Sequence, residues 1–483
     1  MKTLIDTVFE LITFLIKGSF DLLCFVFQPN TNERLFEHSE MGGRDRRNLF
    51  SRFNKGLVVN GKKRITKKQS LTHTLIVGKS GIGKTSSFFL PNLLKAKTQS
   101  FVVTDLDGAM YKASSGYLQK QGYDIQVLNF ENVQKSAFFC PISFCTTTDE
   151  LKALAEQIVF SSSATKGNAD QFWNFSSIHL LFFLLRLVKT QDLEYQNLAN
   201  VRHLLNQMET QNFKDFVAEN TDGVLFSDYL SFHSKEAKLR TNIQASLSTT
   251  MDLFTYADVA HLTAKNTLDL ERLTKPKAAL FIIVPERLLK RNALILSVFY
   301  GILFDFVQKN RPKKPLFFLL DEVGNYFLKD LDILISVLRR YNCSLSLGVQ
   351  DISQIKKLYG QDASTTILSN TSTKIIFPGA SSEIAEEVSK RAGQKTVEIL
   401  FEGKTRQQIK PVLTATEIIQ MKKNRALFLV SNYPPAILRM YPYFKQFCLK
   451  KRSKLKPVEF ETNAFINPIL IALIKSNPDE ETP

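Results

Sequence analysis

The stretch His73-Thr-Leu-Ile-Val-Gly78-Lys-Ser-Gly-Ile-Gly83-Lys84-Thr85-Ser-Ser-Phe-Phe constrains this chain more than any other part of it. An apolar strand runs into a GxxxxGK[ST] loop, and the loop runs into an apolar segment that opens a helix. Glycines at these positions let successive backbone N–H groups curl round a phosphate, which bulkier residues would obstruct. Gly78, Lys79, Ser80, Gly81, Ile82, Gly83, Lys84 and Thr85 then form a nucleotide cradle. Lys84 neutralises β- and γ-phosphate oxygens, and the Thr85 hydroxyl ligates magnesium.

Such a loop needs a carboxylate at the tip of a neighbouring strand. Leu316-Phe-Phe-Leu-Leu-Asp321-Glu322 supplies a continuous apolar run, read as a strand buried on both faces, ending in two acids. Asp321 holds the magnesium shell, and Glu322 polarises the attacking water as general base. The second carboxylate points to ATP hydrolysis coupled to motion, with ATP and Mg2+ as the ligands.

At 483 residues the chain is long enough for two or three domains. Its 44% apolar and 23% charged residues are the balance of a folded globular protein, which excludes disordered and fibrous classes. A net charge of +17 favours a polyanion, either nucleic acid or an anionic membrane surface, although a Lys-rich genome gives the same excess. Five cysteines (Cys24, Cys140, Cys145, Cys343 and Cys448) show no ligand spacing and no disulfide framework, which suits a reducing cytoplasm.

Residues 4–27 are apolar but interrupted, with Asp6, Glu10, Lys17 and Asp21 on one narrow helical stripe. Four charges argue against a spanning helix. An interfacial or partner-bound amphipathic helix, or a helix packed on this protein's own core, fits the pattern. From Arg44 to Lys68 the chain is strongly basic, suited to phosphates or lipid headgroups, or simply a solvated linker. A second basic cluster, Lys450 to Lys456, precedes an acidic end at Asp479, Glu480 and Glu481.

Ser100-Phe-Val-Val-Thr-Asp105 reads as another strand with a carboxylate at its tip. A capping box at Thr147 and Glu150 starts a helix, with Leu151, Leu154, Ala155, Ile158 and Val159 at helical spacing. Helical segments continue to about Asp252, and strands resume at Ala278–Val284, Ser344–Gln350, Lys374–Phe377 and Ala426–Val430. The pattern is an all-helical insertion inside an α/β domain with a central, mainly parallel sheet.

These pieces, in this order, resemble the TraG/TraD class of conjugative coupling proteins that serve type IV secretion systems. The likeness runs from about Lys55 to Lys445. It rests on Gly56-Leu-Val-Val, the phosphate loop, Leu90-Pro-Asn-Leu-Leu94, Val102-Val-Thr-Asp105, Phe172-Trp173, Leu320-Asp-Glu322, Gln350-Asp-Ile-Ser-Gln354, Leu358-Tyr-Gly360 and Arg391-Ala-Gly393. The resemblance implies a RecA-like P-loop motor fold assembled as a hexameric ring, with an all-helical domain at the cytoplasmic mouth. Its implied partners are a relaxase with attached single-stranded DNA, or protein cargo, and the secretion channel at the inner membrane. It also implies that Gln350 senses the γ-phosphate and that Arg339, with Arg340 beside it, reaches across a subunit interface as a finger.

The sequence departs from that family at Asp105-Leu-Asp107-Gly108-Ala109, where Asp-x-Lys-Gly-Glu is usual, and in lacking a pair of spanning N-terminal helices. The expected organisation is a membrane- or partner-associated segment at 1–40 and the nucleotide-binding domain at 41–145 and 266–449. The helical insertion falls at 146–265 and the charged tail at 450–483. An FtsK-like pump for double-stranded DNA and a non-catalytic docking adaptor are the alternatives.

Overall fold

The computed structural model describes residues 36–39, 43–51, 56–166, 171–401 and 404–473. The amphipathic segment within 1–40, Arg52, Lys55 and the acidic end lie outside the described residues. Among the described residues no helix is long and apolar enough to cross a membrane.

Among the described residues twelve strands follow one another: β1 Phe36–Ser39, β2 Thr74–Val77, β3 Ser100–Asp105, β4 Asp124–Asn129, β5 Ala278–Ile283, β6 Leu316–Leu320, β7 Cys343–Val349, β8 Thr373–Ile376, β9 Gln394–Phe401, β10 Lys404–Pro411, β11 Arg425–Val430 and β12 Tyr433–Arg439. Ten of them form one sheet in the order β1-β12-β11-β8-β2-β7-β6-β3-β5-β4, while β9 and β10 pair as a separate antiparallel hairpin. From β8 to β4 every neighbour is parallel; β11, β12 and β1 add an antiparallel edge. The central parallel strands β3, β5, β6 and β7 are buried along their whole length, as expected where helices cover both faces. Alternate residues therefore enter different cores: Leu316, Phe318 and Leu320 of β6 pack on one side, Phe317 and Leu319 on the other.

The helical insertion is present between β4 and β5, from the helix Thr148–Lys166 to the helix Ala257–Thr263. Its first helix begins at the capping box read from the sequence: Glu150 N donates to Thr147 Oγ1 and Thr147 N to Glu150 Oε2, both at 3.2 Å. Leu151, Leu154 and Ile158 of that helix share one apolar cluster with β6, so the insertion continues the sheet's own core.

Among the elements that escape the sequence pattern, which include β1, β9 and β10, three have clear local reasons. The helix Ala109–Lys120 contains Ser114, Ser115 and Gly116, weak helix formers that break its periodicity. β4 lies at the sheet edge and alternates polar with apolar residues over only six positions. β12 carries Pro434 and Pro435 straight after its first residue, Tyr433, tolerated because the register with β11 shifts between Phe428 and Val430.

The folded part also continues past residue 450, where the sequence suggests a tail. Residues 456–471 run extended across the molecule. Tyr111 Oη donates to the Val458 carbonyl (2.5 Å), and Asn463 Nδ2 to the Ser136 carbonyl (3.0 Å). The Ile466 amide donates to His261 Nδ1 (2.8 Å), and Asn200 brackets the end of the strap by accepting from Ile471 N and donating to the Ile469 carbonyl, both at 2.9 Å. The strap thus ties the sheet-side helix Ala109–Lys120 to the helical insertion.

Gly116 makes room for it, since a Cβ there would lie 2.1 Å from the Lys456 carbonyl oxygen. Alanine normally stabilises a helix interior by about 1 kcal/mol over glycine. Here Gly116→Ala is expected to destabilise instead, by about 1–3 kcal/mol, because backbone must move. The check is thermal unfolding with limited trypsin digestion: a lower midpoint and faster cleavage within 454–456 are expected, and an unchanged profile would show the strap to be dispensable.

Candidate functional site: a phosphate loop facing a buried acidic pair

Parallel register fixes the geometry of the site. Ile76 of β2 lies beside Gly348 of β7, and Leu347 lies beside Leu320 of β6, so the loop after β2 and the acids after β6 flank the end of β7. Gly78 N donates to the Val349 carbonyl at 3.1 Å, closing the strand end. Gly81 and Gly83 take φ values of +73° and +109°, which side-chain-bearing residues rarely adopt, and this turns the loop back on itself. Lys79, Ser80 and Gly81 are exposed at its crest, Ile82 is half-buried, and Lys84 is buried. The first turn after Lys84, Thr85–Phe89, is wound as a π-turn before the helix Leu90–Leu94, a feature often found at working sites.

Four polar side chains meet at the floor of a cleft of about 320 Å³. Thr85 Oγ1 donates to Asp321 Oδ2 at 2.9 Å. Lys84 Nζ pairs with Glu322 Oε1 at 3.0 Å and donates to the Gly78 carbonyl at 2.5 Å. Asp321 Oδ1 also accepts from the Glu322 amide at 3.1 Å. Burial pushes the Asp321 carboxyl up to about 6, opposed by Lys84 and by the Thr85 hydroxyl. Glu322 sits in the left-handed region at φ +52°, a conformation costing a non-glycine residue about 1 kcal/mol or more. Its Oε2 is buried and has no hydrogen-bond partner.

That orphaned oxygen tests whether a nucleotide and its metal fit. A buried acceptor left open needs a donor, and a water held near the γ-phosphate is one. Thr85 and Asp321 present hard oxygen ligands side by side, the donor chemistry magnesium prefers. The residues present therefore suit a magnesium nucleotide, with Lys84 and the loop amides toward phosphate.

Gln350 follows β7 and lines the same cleft, its amide donating to Gln354 Oε1 at 2.9 Å. Arg339 and Arg340 are placed elsewhere. They are exposed in the turn Leu338–Tyr341 that precedes β7, at the end of that strand opposite the cleft. A seven-residue strand separates the two by roughly 20 Å, so neither arginine reaches the site of its own chain.

Three further carboxylates line or border the cleft without having been singled out as site residues by the sequence. Asp105 closes β3 and is held by the Tyr111 amide at 2.7 Å; burial raises its carboxyl to about 6 despite that bond. Asp107 and Glu286 are exposed on the wall. Asp105 was legible as a strand-tip acid, whereas Glu286 stands at the start of a four-residue helix after β5, with no motif around it.

A parallel sheet that carries this loop on one strand and a buried Asp-Glu pair two strands away defines a P-loop nucleotide-binding protein. The chain belongs to the type IV secretory system conjugative DNA transfer family, which it matches over residues 31–467. It is 23% identical over 399 residues to the conjugal transfer protein TraG of Rhizobium radiobacter, covering 75% of this chain and 61% of that protein. It is 22% identical to the type IV secretion system-coupling protein VirD4 of Bartonella quintana, covering 60% of this chain and 49% of VirD4. The chain thus spans between about half and three fifths of these relatives.

Solved structures of the bacterial conjugative coupling protein TrwB share the fold. The unbound form has a TM-score of 0.67 at 16% identity, covering 85% of this chain and 93% of that one. A TrwB structure in complex with ADP and Mg2+ has a TM-score of 0.65 at 15% identity, covering 90% and 96%. The sequence's expectation of an α/β fold with a mainly parallel sheet and an inserted helical region agrees with that architecture.

Proposed function

We propose that this protein is the ATP-hydrolysing coupling motor of a conjugative type IV secretion system, which draws relaxase-bound single-stranded DNA, or protein cargo, to the secretion channel. The observation that carries the reading is the pair of contacts across the cleft, Thr85 to Asp321 and Lys84 to Glu322, in a chain of the conjugative DNA transfer family. An adaptor that only docks cargo has no use for a buried, unpartnered carboxylate oxygen beside a phosphate loop.

Each side chain has a distinct task in this proposal. Lys84 exchanges the Glu322 carboxylate for β- and γ-phosphate oxygens. Thr85 and Asp321 hold magnesium, which when bound neutralises phosphate charge. Glu322, released from Lys84, accepts the proton of the attacking water. Gln350 reads the γ-phosphate from the end of β7 and relays its state to the helix Ile352–Asn370 through Gln354. Arg339 acts in trans on the site of a neighbouring subunit, which requires a closed ring, expected to be a hexamer. Residues 1–40 hold the ring at the inner membrane, peripherally or through a partner, and residues 146–265 form the helical domain that meets cargo.

One set of measurements tests the motor. ATPase activity should rise several-fold with single-stranded DNA and less with duplex DNA. Mixing inactive Lys84→Ala with inactive Arg339→Ala protein should restore part of the activity through interfaces that draw an intact half from each chain. Equal stimulation by duplex DNA would favour an FtsK-like pump, and no recovery in mixed rings would remove the trans role from Arg339.

A further inference from the structure

Two large aromatic side chains stand in solvent at one end of the antiparallel edge of the sheet. Phe447, the first residue of the helix Phe447–Arg452, is 79% exposed, and Phe444, in the turn Tyr443–Lys445, is 48% exposed. A single exposed phenylalanine is ordinary, but two rings three residues apart on a cationic surface mark a face built to be covered. Between Glu417 and Glu459 the sequence has no acidic residue. Lys445 and Lys450 are exposed beside the rings. Lys62 Nζ sits 4.2 Å from the centre of the Tyr441 ring, and the Arg439 guanidinium 5.6 Å from it. Tyr441 belongs to the same surface, its carbonyl accepting from Gln446 Nε2 just before Phe447.

Positive charge is concentrated behind this face as well. Burial first, and then Arg64, Arg452 and Lys62, draw the Lys95 ammonium down to about 7. The chain also joins the fold here. Phe36 of β1 pairs with Leu438 and Ser39 with Ala436, so the residues numbered below 36 connect at the Arg439–Tyr441 end of β12. Those residues include the apolar run 4–27.

We infer that this end is a docking surface for an anionic lipid bilayer, with Phe444 and Phe447 entering the headgroup region and Lys62, Arg439, Lys445 and Lys450 meeting lipid phosphates. Bases of single-stranded DNA stack on rings set along a groove. Rings that project this far beside lysines suit wedging between lipid headgroups instead. The inference rests on the reading that the protein works at a membrane, and it adds a determinant in the folded domain distinct from residues 1–40.

The test uses the full chain and vesicles of phosphatidylcholine with or without phosphatidylglycerol. Phe447→Trp should be quenched by brominated acyl chains only when phosphatidylglycerol is present. Phe444→Ser/Phe447→Ser should weaken vesicle binding about ten-fold or more, with ATPase activity retained. Lys445→Glu/Lys450→Glu should do the same and flatten the salt dependence. If wild-type protein binds vesicles but Phe447→Trp is not quenched and the serine variant binds as tightly, the surface is overturned while anchorage through residues 1–40 stands. Absence of wild-type binding overturns the surface and the direct lipid insertion of residues 1–40, leaving only attachment through a partner. A serine variant that loses single-stranded DNA, or its assembled state on gel filtration, while keeping vesicle affinity overturns the inference in favour of a nucleic-acid or subunit contact.

Discussion

Glu322→Gln is expected to bind ATP at least as tightly as the parent while turning it over some 10² to 10⁴ times more slowly, the range a positioned general base contributes. The slow step follows, in the proposed mechanism, from losing the proton acceptor; the Oε2 of Glu322 is buried and open. The tighter binding follows from the Lys84 to Glu322 pair at 3.0 Å. Glu322 holds the ammonium that an incoming phosphate must claim, and glutamine holds it without a charge. Lys84 is not orphaned by the change, because it keeps the Gly78 carbonyl at 2.5 Å.

Lys84→Ala should also stop turnover, but by abolishing nucleotide affinity, and it leaves the Glu322 carboxylate buried without its counter-charge. Removing one member of a buried pair typically costs about 3–5 kcal/mol. Lys84→Ala should therefore unfold at lower temperature than Glu322→Gln. Equilibrium binding of a fluorescent ATP analogue, single-turnover hydrolysis and thermal unfolding separate the two variants. Parental hydrolysis by purified Glu322→Gln would assign the base elsewhere, with Glu286 the next carboxylate to examine on the cleft wall.

How far this site was legible in the sequence depends on how local each signal is. The phosphate loop and the Asp321-Glu322 pair announce themselves because backbone curvature and strand-end carboxylates are encoded within a few consecutive residues. The strands β2, β3, β5, β6, β7, β8 and β11 were readable for the same reason: burial concentrates aliphatic and aromatic residues into short runs, uninterrupted in β5 and β6 and broken only by Ser344, Ser346 and Gly348 in β7. Long-range features left no such trace. The strap 456–471 is held by polar contacts to Tyr111, Ser136, His261 and Asn200, each distant in sequence, so its own residues read as a tail. Arg339 shows the limit from the other side. Spacing nominated it, but only the chain's folding places it at the opposite end of β7 from the cleft, which confines any catalytic role to a neighbour's site.

Gly348→Ala is expected to lower turnover about 100-fold and to raise the magnesium concentration needed for it, with little effect on nucleotide binding without metal. Glycine in a strand interior is ordinarily a weakness, and alanine there would stabilise by roughly 0.5–1 kcal/mol. At this position the ordinary sign reverses. A Cβ on residue 348 would lie 2.8 Å from Asp321 Oδ1, 3.0 Å from Phe89 Cζ and 3.3 Å from the Asp321 Cα. None of these can yield cheaply, because the Phe89 ring is fully buried and the carboxylate is fixed by Thr85 at 2.9 Å and by the Glu322 amide at 3.1 Å. The carboxylate must therefore move away from β7, and it takes its bond to Thr85 with it. Misplacing a catalytic group by about 1 Å costs on the order of 100-fold. Lys84 and the loop amides lie on β2's side of the glycine and keep their contacts, so binding of ADP in EDTA should match the parent. Initial rates across a magnesium titration, with ADP affinity measured with and without metal, check the prediction. Parental activity at low magnesium would mean that Asp321 does not hold the ion, whereas loss of metal-free ADP affinity would show that the added methyl had disturbed the loop itself.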